Sequence, residues 1–178
     1  MTEAQRRLSD AVTLLATGID LVGAGRGVRS FDGMLEELIE GARQKIQIAA
    51  YRFDPDFLRY FDLLEKRAEE GVEVVIVCDA LERNEASVRQ RIERLSPRIN
   101  MFDYSARRRD RFEILHTKVM VVDGRHAIVG SANFGFGGLV TNVELGVYLT
   151  GATPWKLADM LDHLASVCRR NGAGFAGD

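Results

Sequence analysis

Residues 114–133 read ILHTKVMVVDGRHAIVGSAN, two apolar runs on either side of an Asp-Gly pair. Asp-Gly accepts the positive φ angles of a tight hairpin turn, so the stretch predicts two antiparallel strands folded about Asp123 and Gly124. Alternate residues of a strand share a face, which points His116 and Lys118 the same way; Ser131 and Asn133 share the same parity relation. Once the turn folds the runs together, an imidazole, an ammonium, a hydroxyl and an amide can converge on one small anion. They offer a nucleophile or acid plus several hydrogen-bond donors, an inventory that fits a phosphoryl group.

Beyond the hairpin, ELGVYLT (144–150) predicts a third strand and TPWKLADMLDHLASVCRR (153–170) a closing amphipathic helix, with Thr153 and Pro154 suited to its cap and first turn. Trp155 reads as helix-to-core packing. Toward the N-terminus, helix and strand alternate. FDGMLEELIEGARQ reads as helix and KIQIAAYRF as strand; DPDFLRYFDLLEKRAEEG, opening on Asp54 and Pro55, reads as helix and VEVVIVCDA as a strand buried on both faces. EASVRQRIERL and RINMFDY repeat the pair. This alternation predicts an α/β fold, an α/β/α sandwich with a central mixed β-sheet, and argues against a bundle or a β-sandwich.

Leu8, Val12 and Leu15 keep helical spacing, so the expectation for residues 1–30 is a helix and a glycine-rich connection. The GAGRG stretch lacks the lysine and the preceding strand of a phosphate-binding loop, and reads as linker. Residues 31–171 are expected to form the catalytic domain and residues 172–178 a flexible tail.

With 178 residues, 46% of them hydrophobic, the chain suits one domain with a sizeable core. A net charge of -2 excludes a wholly basic nucleic-acid or membrane binder, so attraction to phosphate must be local. Cys78 and Cys168 have no spacing that suggests a disulfide framework or a zinc site, which favours a reducing compartment. The N-terminal stretch is broken by charges, with neither a membrane span nor a signal-peptide core; cytoplasmic residence and no membrane insertion are the expectation.

His116, Lys118, Asp123, Gly130, Ser131 and Asn133 match His-x-Lys, four residues, Asp, six residues, Gly-Ser-x-Asn at every position. In this the chain resembles the phospholipase D superfamily. Chance would place six such fixed positions in a chain of this size about once in a hundred thousand or less. The likeness extends over roughly residues 31 to 170, through the units ending IAAYRF and VEVVIVCDA and the segment TNVELGVYL, and looks like the small bacterial Nuc-type endonucleases.

A single motif has a mechanistic consequence. In-line displacement puts attacking and leaving groups on opposite sides of phosphorus, so one imidazole cannot easily attack from one side and protonate the departing oxygen on the other. The chain's other histidines, His126 and His163, stand in no second His-x-Lys context and read as surface or turn residues. The second imidazole is therefore expected from another copy of the chain, in a homodimer with the site across its two-fold axis. The resemblance implies the same: His116 would form a phosphohistidine and its mate would protonate the leaving oxygen. Lys118 and Asn133 would hold the non-bridging oxygens with help from Ser131, and no metal or other cofactor is required. Glu144 matches the acidic residue that in this superfamily receives a hydrogen bond from the histidine.

Asp123 lies on the opposite parity from His116, so turn formation is its plain role, with a direct part in the site as the alternative. Arg107, Arg108, Arg109 and Arg111 lead into the strand carrying His116 and either flank the cleft as phosphate contacts or form a solvated loop. Tyr51 and Arg52 end a predicted strand, where ligand-facing groups are common, though a core tyrosine beside a surface arginine fits equally. The expected activity is hydrolysis of DNA or RNA phosphodiesters. The alternatives are phospholipid phosphodiesterase or phosphatidyl transfer, and a nuclease or binding subunit of a bacterial defence complex that acts only with partners.

Overall fold

Val74, Ile76 and Cys78 face one side of their strand and Val75 and Val77 the other, and all five are buried. A strand apolar on both faces needs cover on both faces, and that demand organises the whole chain. The computed structural model describes residues 9–22, 27–110 and 112–170. Arg111, residues 23–26 of the glycine-rich stretch and the tail expected over 172–178 lie outside the described residues.

The strands are β1 (Ala11–Thr17), β2 (Arg29–Ser30), β3 (Lys45–Ala50), β4 (Glu73–Cys78), β5 (Ile99–Asp103), β6 (Lys118–Val122), β7 (His126–Gly130) and β8 (Glu144–Thr150). They form one sheet in the order β2-β1-β8-β7-β6-β3-β4-β5. Its β3-β4-β5 side is parallel, because helices cross between those strands, and its β6-β7-β8 side is antiparallel. The expected mixed sheet is therefore present.

The main helices are α1 (Phe31–Gly41), α2 (Leu58–Glu69), α3 (Ala86–Glu93) and α4 (Thr153–Arg170). Side chains of α1, α2 and α3 pack with Ile46, Ile48, Val74, Ile76, Met120 and Ile128 in one core. On the opposite face, Leu157, Ala158 and Leu161 of α4 cover Val119, Val121 and Ala127, while Ala165 and Cys168 meet Val75, Val77 and Phe102. Helices on both faces of the sheet make the α/β/α sandwich. Among the described residues no helix is long and apolar enough to cross a membrane.

Local chemistry explains the helix starts. Ser30 accepts the amide N–H of Gly33 at 3.2 Å, capping α1. Asp54 accepts the N–H of Asp56 at 3.1 Å and opens a short 3-10 turn over Pro55–Phe57 that leads into α2. At α4 the cap comes from elsewhere than expected. Thr153 is already helical, and its amide N–H donates to the carboxylate of Asp10 at 2.7 Å, so a residue just before β1 takes the first orphan donor.

The largest departure lies at the N-terminal end. The expected helix through Val12 and Leu15 is a strand: Ala11–Thr17 pairs antiparallel with Glu144–Thr150 over its whole length. Without it β8 would be an open edge of unpaired backbone groups. Leu15 enters the core beside Phe31, and the Thr17 hydroxyl donates to the carbonyls of Gly138 and Asn142 at 3.0 and 2.8 Å. The N-terminal segment thus holds the loop that follows β7.

Candidate active site

Both residues of the Asp-Gly turn have positive φ, 54° at Asp123 and 61° at Gly124, and β6 pairs antiparallel with β7 on either side of it. This hairpin brings the end of β7 back beside the start of β6. The C-terminal end of β3 lies there too, since Ala50 is in register with Lys118, and so does the beginning of β8, since Gly130 is in register with Gly146. His116, Lys118, Tyr51, Ser131 and Glu144 therefore gather at one end of the sheet.

His116 is exposed just before β6, with its ring edge-on to that of Tyr51 at a centroid separation of 5.2 Å. Lys118 is buried, and its Nζ donates to the His116 carbonyl at 3.0 Å while lying 6.0 Å from the centre of the Tyr51 ring. Burial pulls the ammonium below the ordinary lysine range, and the negative charge of Glu144 opposes that shift. The backbone thus ties Lys118 to His116, and electrostatics tie it to the β8 side of the site.

Ser131 donates its hydroxyl to Glu144 and accepts the amide N–H of Leu145 at 3.2 Å. Asn142 reaches the other Glu144 oxygen at 3.4 Å. Within one chain the Glu144 carboxylate is engaged by Ser131 and Asn142, and among the described residues it receives no hydrogen bond from His116. Asn133 follows two residues after Ser131, and its Oδ1 is buried without a partner among the described residues. Gly130 supplies space: a Cβ there would come within 2.7 Å of the Phe31 ring and 3.0 Å of the Gly146 backbone.

Asp123 is not brought to this group. It follows the far end of β6, about 17 Å of strand away from Lys118. Its carboxylate accepts the backbone N–H groups of Arg43, Gln44 and Lys45 at 2.9, 2.7 and 2.9 Å, fastening the hairpin to the start of β3.

The arginines divide. Arg108 forms an ion pair with Asp79, which is fully buried at the end of β4, and Arg107 lies with its guanidinium 5.7 Å from the Tyr104 ring. Arg109 is exposed, with its backbone N–H held by Glu113 at 3.0 Å. Sequence reasoning missed Asp79 and Asn142. Asp79 closes a buried strand, where an unpaired carboxylate is costly and a partner must be sought, whereas Asn142 carried no signal beyond standing two residues before Glu144.

Among the described residues no group of three His, Cys, Asp or Glu side chains could hold a metal ion. The site groups offer donors to an anion, with the imidazole open to solvent.

Comparison with known proteins bears on the family and the fold. A family model described as cardiolipin synthase, PLD-like domain, matches residues 35–165. The DISARM protein DrmC of Bacillus paralicheniformis is 27% identical over 125 residues, covering 70% of this chain and 51% of its own length. The probable cardiolipin synthase YwiE of Bacillus subtilis is 30% identical over 146 residues, covering 78% of this chain and 26% of its own. The chain thus spans about half the length of one curated relative and about a quarter of the other.

Among solved structures, the phospholipase D family member Nuc from Salmonella typhimurium superposes with a TM-score of 0.65 at 23% identity, over 93% of this chain and 97% of its own. NucT from Helicobacter pylori gives 0.69 at 18% identity, over 90% and 98%. Their near-complete mutual coverage shows that the sandwich described above is the fold of these proteins.

Proposed function

Since the chain belongs to the phospholipase D superfamily, through its PLD-like domain, we propose that it is a nuclease that hydrolyses phosphodiesters of DNA or RNA at a site shared by two copies of the chain. The gathering of His116, Lys118, Ser131 and Glu144 at one end of the sheet, with a single exposed imidazole among them, carries this reading. In the proposed first step a His116 ring nitrogen bonds to phosphorus. The leaving nucleoside oxygen departs with the P–O electron pair and takes a proton from the partner subunit's His116. That second imidazole then accepts a proton from water, whose oxygen displaces His116 and releases the phosphate product.

Lys118 and Asn133, one pair from each subunit, face the non-bridging oxygens and offset the charge that develops there, so the proposed chemistry runs without a divalent metal. Ser131 holds the Glu144 carboxylate on β8. A dimer is favoured by a second observation. Val12 and Leu14 of β1 and Leu145 of β8 lie on the sheet face that carries α4, yet they are 59%, 58% and 58% exposed. Leu145 touches Ser131 through its amide, so this apolar surface runs up to the proposed site. A second copy docked on it would stand beside the first copy's histidine.

Nuclease action is preferred for a domain that matches Nuc over nearly its full length. The relative named as a probable cardiolipin synthase supports phosphatidyl transfer as a second reading, and the relative named for DISARM supports activity within a defence complex. Incubating the purified protein with single-stranded DNA, duplex DNA, RNA and a phosphatidylcholine analogue, with and without chelator and beside His116→Ala, separates them. Chelator-resistant nucleic-acid cleavage that disappears in the variant is the expected result. Lipid turnover alone promotes the second reading, and full activity in His116→Ala defeats the mechanism.

A further inference from the structure

Next to Asn133 the surface opens into a cavity of about 260 Å³, with Arg52 and Arg83 on its lining together with Phe53, Asp54 and Glu85. We infer that this cavity holds the nucleotide adjoining the scissile phosphate, with Arg52 and Arg83 gripping that nucleotide's own phosphate. The inference rests on the nucleic-acid reading above and deepens it, because such a subsite selects chains of several phosphodiesters over a lone diester.

Position comes first. Asn133 belongs to the signature, so the cavity touches the proposed reacting centre from the β7 side. Arg52 approaches from the β3 side: its guanidinium lies 5.8 Å from the centre of the Tyr51 ring, which itself meets the His116 ring at 5.2 Å. A strand with one phosphate at His116 would lay a neighbouring residue over this opening.

The charges available in the cavity point the same way. The buried Asn84 spends its amide inside the protein, accepting the N–H of Phe53 at 2.8 Å and donating to the carbonyl of Leu81 at 3.0 Å. Asp54 is turned onto the amides of Asp56 and Phe136 at 3.1 and 3.3 Å, and burial holds its carboxyl above the usual carboxylate range. Arg52 and Arg83 are both exposed, and the contact of Arg83 with Glu82 is a 3.8 Å pair between side chains more than half exposed, which solvent screens. Two exposed guanidiniums suited to bidentate phosphate binding thus share the lining with the exposed carboxylate of Glu85 and with that of Asp54, which backbone amides hold.

The test compares kcat/KM on a single-stranded oligonucleotide of about ten residues with kcat/KM on bis(p-nitrophenyl) phosphate, which carries one diester. In the double variant Arg52→Ala/Arg83→Ala the ratio of the two should fall about tenfold, and Arg52→Lys/Arg83→Lys should recover part of it. Binding supplies a readout independent of turnover. In a His116→Ala background, the same two alanines should weaken the Kd for a fluorescent oligonucleotide about tenfold and lower the salt slope by about 0.7 per arginine. An unchanged ratio with unchanged Kd overturns the inference. So does an equal loss on both substrates, which would mark the arginines as supports of the centre itself. If the parent protein turns over the single diester and lipid while neither cleaving nor binding oligonucleotides, the nucleic-acid reading has failed and this subsite with it.

Discussion

Asp79 and Arg108 form an ion pair at the end of β4, with the Asp79 side chain fully buried and that of Arg108 only 14% exposed. The pair joins β4 to the loop that leads to His116, which makes Arg108 an internal strut. Removing one partner leaves the other charged and poorly solvated, so Arg108→Ala should cost about 3 kcal/mol of stability. The apolar double replacement Asp79→Leu/Arg108→Met should recover most of that loss. Urea unfolding of the parent and the two variants measures it; an Arg108→Ala protein as stable as the parent would rule out the strut.

The Asp123 carboxylate binds three backbone amides at the opposite end of β6 from His116. Asp123→Asn keeps the side-chain shape and the tolerance for positive φ but loses the charge and one of its two acceptor oxygens. It should lower stability by about 1–2 kcal/mol, a drop in Tm of several degrees, while activity per folded molecule falls far less than in His116→Ala. Thermal unfolding and a turnover assay on the same sample separate the two effects.

These placements show which parts of the protein were legible in the sequence. The hairpin was, because Asp-Gly chemistry acts within two residues and the flanking runs are apolar. So were β3 and β4 with the helices before them, each marked by its own period. Strand β1 was not: in AVTLLAT, Val12 and Leu15 fit a helical stripe, and Val12 and Leu14 are exposed in the single chain. Pairing with β8, more than a hundred residues later, decides its conformation, and no local pattern records that partner. The same holds for Arg108, whose partner Asp79 lies on another strand.

Lys118 places an ammonium in a buried setting, and burial lowers its pKa from the ordinary 10.5. For a lysine this sign means the unfolded chain holds its proton more tightly. The charge therefore works against folding at neutral pH, and that cost recedes as pH rises through the folded value toward the unfolded one. Lys118→Met should accordingly raise stability by about 1 kcal/mol at pH 7. The advantage should shrink by pH 10, while activity falls at least a hundredfold. Urea midpoints of parent and variant at the two pH values provide the check, and a Lys118→Met protein less stable than the parent at pH 7 would contradict it.

The apolar surface of Val12, Leu14 and Leu145 makes the proposed dimer accessible to direct measurement. Leu14→Asp/Leu145→Asp places charge on both strands of that surface, and should yield monomers in sedimentation with the helical content of the parent. If the site is shared, those monomers lose activity at every concentration at which they stay apart. A dimeric, active double variant would mean that the contact lies elsewhere.

Sharing of one site by two histidines also fixes how inactive chains dilute activity. When parent and His116→Ala chains are unfolded together in equal amounts and refolded, pairing at random leaves about a quarter of the dimers with two parental histidines. Mixed dimers keep one imidazole, which can attack or protonate but lacks its counterpart across the phosphorus. Activity should therefore fall to about one quarter of that of the same total amount of parent protein, and follow the square of the parental fraction across a mixing series. A chain that works alone gives a straight line passing through one half. The curve separates the two cases without any assumption about the substrate, because any diester that the parent turns over will report it.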